Sequence, residues 1–363
     1  MNKLLSLDSN NLLKFIDNLD LDLEYDINIQ DIRFLKNKMN RIIKSLDITS
    51  YTPVTYNEVN RVKENLKYSE FSDFLDFNFD KMYKHRFKFG SNELYIVYNN
   101  LDLKTINYIS KIVFIFFEFF NVKNFSQQII LTLSNNKKTI SNGILGAKNV
   151  NSGFTIIITS EIYLYRKEEL IKVLIHELIH STNNDLSENT VQIFNLKVKE
   201  YFNLNSILVN ESFTEFRTCM LNLIFNISYY DYYNGTQLIY NIEEYLINEI
   251  KHSLVQTNKI LDHNQIIDLS NITKYNENSN IFAYYVLKSI LLHFSNIYFK
   301  DLITNKNNNL KLIQTVFSKK YLTIYNRDLR HIKNKLIEIR PETFIRNNLR
   351  MTLYEFNLNA LKR

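Results

Sequence analysis

From Asn92 to His180 the apolar residues alternate between the two-residue period of a strand and the 3.6-residue period of a helix. This succession constrains the fold more than any other feature of the chain. "ELYIVYNN" reads as a strand, "LKTINYISKIVFIFFEFF" as a helix, and "QQIILTLSNN" and "GFTIIITS" as further strands. "RKEELIKVLIHELIH" then reads as one helix, with acids in its first turn where they suit the helix dipole. A small sheet therefore leads into a long apolar helix.

On either side the pattern is helical. The first ninety or so residues read as helices joined by polar turns, as around "IRFLKNKMNRIIKSL". Beyond Asn210, "ESFTEFRTCMLNLIF", "IYNIEEYLINEI" and "NIFAYYVLKSILLHF" have helical spacing. The expected class is α+β with helix in the majority. Three regions are expected: a helical N-terminal region, 1–90; a core containing the sheet, 91–235; and a helical C-terminal region, 236–363, that completes the cleft.

With 45% hydrophobic and 23% charged residues among 363, the chain can bury a substantial core and is not dominated by disorder. Its richness in Asn, Ile, Lys and Tyr has the character of an AT-rich coding sequence and is not read as chemistry. A single cysteine, Cys219, excludes an internal disulfide and fits a reducing compartment. It is expected to be a small core residue and not a metal ligand. "MNKLLSLDSNNLLKF" lacks a long apolar segment and a small-residue cleavage site, so an intracellular, cytoplasmic location is expected. The most apolar run, Ile112 to Phe120, contains Glu118 and is far shorter than the ~20 residues of a membrane span.

The net charge of +6 is concentrated late, through Lys319, Lys320, Arg327, Arg330, Lys333, Lys335, Arg346 and Arg350. No nucleic-acid motif accompanies it. A solvated helical face is expected, and no nucleic-acid partner.

Within "IKVLIHELIHSTNND", His176 and His180 lie one turn apart on the same helix face, so both can direct a ring nitrogen at one point. That point can be a metal. Glu177 is rotated away from the pair but can reach a water at that metal, where hydrolysis needs a general base. The neighbours Val173, Leu174, Leu178 and Ile179 are uncharged, as a helix buried beside a cleft requires. Catalytic zinc keeps three protein ligands and one open position, so a third residue is needed. Glu211 and Glu215 lie one turn apart on the helix of "VNESFTEF" and can face one cleft together, while Phe213, Phe216 and Met220 face the core.

The histidine helix, with Val173 three before the first histidine, resembles the zincin metallopeptidases; Thr182 departs from their pattern by being polar. Asn183 and Leu186 exclude the metzincin continuation. "VNESFTEF" resembles the Asn-Glu-x-x-(Ala/Thr)-(Glu/Asp) stretch of gluzincins. That resemblance implies Glu211 as third ligand of one Zn2+ per chain and Glu215 as its partner behind a ligand histidine, with Glu215 as ligand the alternative. Glu211 lies farther from His180 than in most gluzincins, and "IFNLKVKEYFNL" would be the inserted segment. "NIFAYYVLKSILLHF" resembles the gluzincin helix that supplies an oxyanion donor, with Tyr284 or Tyr285 in that place. The strand preceding a zincin histidine helix binds extended peptide, which implies a polypeptide substrate along 153–160. "GAKN" has Lys148 where aminopeptidases have an amine-binding glutamate, so an endopeptidase is the implied activity. The whole set resembles zincin-like proteins of large DNA viruses, which implies host cytoplasm or virion. The alternative is a catalytically inactive zincin-fold protein with a structural or virion-interaction role. The intact Glu177 favours catalysis.

Overall fold

The computed structural model describes residues 1–68, 80–204, 207–267, 269, 272, 275–304 and 309–361. Its centre is a mixed sheet of seven strands: β1 (Thr49–Ser50), β2 (Val54–Tyr56), β3 (Met82–Phe89), β4 (Asn92–Tyr98), β5 (Ser126–Ser134), β6 (Gly153–Ile156) and β7 (Glu161–Arg166). The order is β1-β3-β4-β5-β7-β6, with β2 also on β3. A tight turn at Gly90, φ +57°, closes the antiparallel β3–β4 hairpin. β4, β5 and β7 run parallel, and β6 returns antiparallel along β7 as the sheet's last strand.

Ten helices frame this sheet and the site: α1 (Leu7–Asp17), α2 (Ile29–Ser45), α3 (Val59–Tyr68), α4 (Leu103–Phe119), α5 (Ala147–Val150), α6 (Leu170–Ser181), α7 (Glu188–Phe202), α8 (Val209–Asn234), α9 (Ile242–His263) and α10 (Lys288–His293). A π-helical segment, Phe282–Leu287, runs into α10. Helices Asn309–Val316 and Lys319–Ile339 follow. α4 is the crossover between β4 and β5. It starts where Asp102 accepts the Thr105 N–H, and Ile112 to Phe117 are all fully buried. One apolar cluster runs from Leu4 to Leu361 and takes residues from all three regions of the chain. No helix of the described residues is long and apolar enough to cross a membrane.

The α+β class, mostly helical, is as expected, but the chain departs from its sequence pattern in several places. β1, β2 and β3 fall within residues 1–90, which read as helical. The "GFTIIITS" strand ends at Ile156; Ile157–Thr159 form a 3-10 turn and Ser160 adopts φ +51°, which sends the chain back as β7. No glycine or proline marks that reversal, so two strands and a helix start look like one apolar run followed by a helix. The acids of "RKEEL" also lie before α6 and not in its first turn. Glu169 takes φ +59°, and Glu168 accepts the Lys138 N–H while Glu169 pairs with the Lys138 ammonium.

Of the late basic residues, Lys319, Lys320, Arg327, Arg330 and Arg346 are exposed as expected, and Arg350 is the exception. Arg327 pairs with Asp328, Lys333 with Asp262 and Lys335 with Glu338. Arg350 is fully buried beside Glu355.

Candidate metal centre

α6 is buried along nearly its whole length, between the sheet and α8, because it is apolar on every side but one. His176 and His180 share that remaining side. The first turn of α8 crosses it and brings in Glu211. His176 Nε2 and His180 Nε2 stand 3.0 Å apart, and the Glu211 carboxylate lies 3.3 Å from the first and 3.6 Å from the second. These are the only three His, Cys, Asp or Glu side chains among the described residues that gather as a metal-binding group.

The outer ring nitrogens are held from behind. His176 Nδ1 lies 2.9 Å from Glu215 Oε1, and His180 Nδ1 lies 3.0 Å from Asp185 Oδ2. A carboxylate beside Nδ1 favours a proton there, through a hydrogen bond at His180 and a close ion-pair contact at His176, so each neutral ring would turn its Nε2 lone pair to the centre. With both rings neutral, two lone pairs and a carboxylate would face one another with no donor between them, so without a metal the rings take up protons. Burial works against charge on either ring, yet Glu215 and Glu211 raise the His176 pKa to about 9. At His180 burial is again overcome, by Asp185 and Glu211, and the pKa rises to about 11. Burial would raise the Glu211 pKa, but the two imidazoles hold it well below the carboxylate range. The cluster demands positive charge.

Zinc fits that demand. Donors about 2.05 Å from a tetrahedral centre lie about 3.3 Å from one another, close to the 3.0 Å between the two Nε2 atoms and to the 3.3 and 3.6 Å from them to the two Glu211 oxygens. The donor set, two imidazoles and one carboxylate, is that of a catalytic zinc with an open position. Glu211 approaches both histidines at Nε2, whereas Glu215 meets only the far side of His176. Glu211, and not Glu215, completes the cluster.

Asp185 carries no helix-spacing signal of its own. It sits in the turn after α6, where Asn183 takes φ +53° and the Asn184 N–H returns to the Ile179 carbonyl. α8 fastens this turn: Thr214 donates to Asp185 at 2.9 Å, the Asn210 side chain accepts the Leu186 N–H, and Arg217 donates to the Asn184 carbonyl at 2.6 Å. The usable signal was the acid closing "HSTNND", five positions past His180, which helix periodicity alone does not place. α7 spans the segment read as an insertion between the two site helices.

Glu177 is buried, and its carboxylate accepts the Thr155 hydroxyl of β6 at 2.8 Å. Burial raises its pKa, opposed by the two histidines. The two tyrosines separate. The Tyr284 ring stands edge-on to His176, with centroids 6.3 Å apart. Tyr285 points elsewhere and donates to the Leu349 carbonyl. Their π-helical backbone is a rare form that is frequent at functional sites. A cavity of about 30 Å³ lies among Ser152, Gly153, His176, Glu177 and Tyr284. A larger one, about 660 Å³, lies at the other end of α6 and contains none of the three clustered residues.

Gly153 sets β6 against α6. A Cβ there would meet Leu164 Cδ2 at 2.7 Å, the Tyr163 carbonyl at 2.8 Å and Val173 Cγ1 at 3.1 Å. Among the described residues no strand pairs with the other edge of β6, the strand whose Thr155 touches Glu177.

Comparison of the chain with protein-family models, with curated proteins and with solved structures gave no match.

Proposed function

We propose that this chain is a zinc-dependent metallopeptidase, acting as an endopeptidase of gluzincin type. The observation that carries this reading is the convergence of His176 Nε2, His180 Nε2 and Glu211, each histidine backed by a carboxylate. When bound, zinc would supply a Lewis acid that acidifies a water and polarises a carbonyl.

The chain's own residues do the rest. His176, His180 and Glu211 would hold the ion. Glu177, oriented by Thr155, takes the proton of the attacking water and passes it to the leaving amine. Its burial favours the protonated form that this transfer requires in mid-reaction. Tyr284, on the same side of the site as His176, donates to the oxyanion. An extended polypeptide adds to the free edge of β6, which places its backbone along Thr155 and Glu177.

The test is Glu177→Gln in the full chain, assayed on unstructured polypeptides. It should keep zinc and lose hydrolysis by about 10²–10⁴-fold, the usual contribution of a general base. Full activity in a zinc-loaded Glu177→Gln protein overturns the assignment. No hydrolysis by the zinc-loaded parent would favour the inactive structural role instead.

A further inference from the structure

Lys172 is the one charged residue among Leu170 to Ile175, in a stretch of α6 otherwise built of Leu, Ile and Val. Its side chain is 2% exposed. A buried ion pair is weak evidence for stability, since a well-packed apolar pair commonly does as well. The position therefore asks what the ammonium does there.

It lies one turn before His176 on the same face, and both side chains reach Glu215. The ammonium contacts both Glu215 oxygens, while His176 Nδ1 lies 2.9 Å from one of them. Met351 Sδ sits 3.3 Å from the ammonium on its other side. Behind it, Glu169 is itself fixed, accepting from Lys138 and from the Thr352 N–H. Glu215 is 2% exposed, so no solvent shell replaces a donor that is lost. With His176 as sole partner, its carboxylate could turn about its last torsion.

We propose that Lys172 is a positioning residue of the metal centre: by clamping both oxygens of Glu215 it fixes the carboxylate that holds His176 Nδ1, and so the aim of His176 Nε2. This rests on the zinc reading above. Asp185 does the corresponding work at His180 with different anchors, Thr214 and the turn held by Asn210. The two supports are therefore separable.

The experiment is a double-mutant cycle on zinc-stripped full-length protein, with Zn2+ affinity read by competition with a chromophoric chelator. Lys172→Met should weaken Zn2+ binding by about 10–100-fold, the usual effect of losing a partner behind a ligand. In a Glu215→Gln background the same substitution should cost less than about threefold, because the carboxylate it served is gone. In an Asp185→Asn background it should cost its full 10–100-fold. Thermal unfolding of the metal-free variants checks that each folds; if Lys172→Met does not, Lys172→Gln enters the same cycle. Parent-like affinity in the Lys172 variant, or an equal loss in the parent and Glu215→Gln backgrounds, overturns the proposal while leaving the zinc reading intact. No Zn2+ binding by the parent removes the zinc reading and the proposal together.

Discussion

His176 and His180 are held by carboxylates on two different elements, Glu215 in α8 and Asp185 in the turn after α6. Asp185→Asn keeps the size of the side chain but can turn a donor toward His180 Nδ1, so zinc affinity should fall about 10–100-fold by chelator competition. Zinc must also displace protons. Because the metal-free rings are held at about 9 and about 11, both are protonated at neutral pH. Apparent affinity should therefore rise about a hundredfold per pH unit up to about 9, where both rings release a proton, and about tenfold per unit from there to about 11, and titrations at several pH values check the slope. The tyrosines give opposite outcomes. Tyr284→Phe should lower kcat about 10²–10³-fold with little change in stability, as loss of an oxyanion donor does. Tyr285→Phe leaves the buried Leu349 carbonyl without its donor and should cost about 1–3 kcal/mol of stability, with activity near the parent's. At this scale the sequence showed what spacing along one helix can show. His176, Glu177, His180, Glu211 and Glu215 all follow helical faces. Asp185 and Lys172 did not stand out, because their partners lie across a turn or on another helix.

β6 is four residues long, yet it links the sheet, α6 and Glu177. Gly153→Ala places a methyl against Leu164, the Tyr163 carbonyl and Val173, in a region where backbone cannot yield cheaply. It should destabilise by about 1–3 kcal/mol in denaturant unfolding, and should lower activity more than zinc affinity because β6 carries Thr155 but no ligand. The elements were legible where periodicity was long. α4, α6, α8 and α9 follow their apolar stripes closely. The hairpin of β6 and β7 was not, because Ser160 turns it in a left-handed conformation that serine does not advertise. Before Asn92, β1 and β2 are two and three residues long, too short to show a period. β3, by contrast, is eight residues long, and its His85, Phe87 and Phe89 alternate with Lys84, Arg86 and Lys88, a two-residue period that the helical reading of 1–90 does not use.

The whole molecule is closed by its C-terminal segment, Asn348 to Phe356, which threads through the core with little strand pairing. Side chains satisfy its backbone instead. The Thr352 N–H goes to Glu169, the Leu353 N–H to Glu249, and Lys288 and Asn222 donate to the Met351 and Tyr354 carbonyls. None of this shows in a linear pattern; "NLRMTLYEF" looks like an ordinary polar-apolar mixture, and Arg350 within it was read as surface charge. Truncation after Asn347 would remove the backbone partners of Glu169, Glu249 and Lys288 and take Leu349, Met351, Leu353, Tyr354 and Phe356 out of the core. At about 2–5 kcal/mol for each large apolar side chain lost from a core, five of them match or exceed the ~5–15 kcal/mol of a typical fold. The truncated chain should show no cooperative thermal transition. The same segment touches Lys172 through Met351, so the site's support reaches from Lys138 to the C-terminal end of the chain. The claim on which all of this turns is that the cluster holds a metal. Elemental analysis of the purified full-length protein tests it most directly: about one zinc per chain is expected, largely lost in the His176→Ala/His180→Ala double variant, whereas a folded parent that neither carries nor takes up zinc would contradict it.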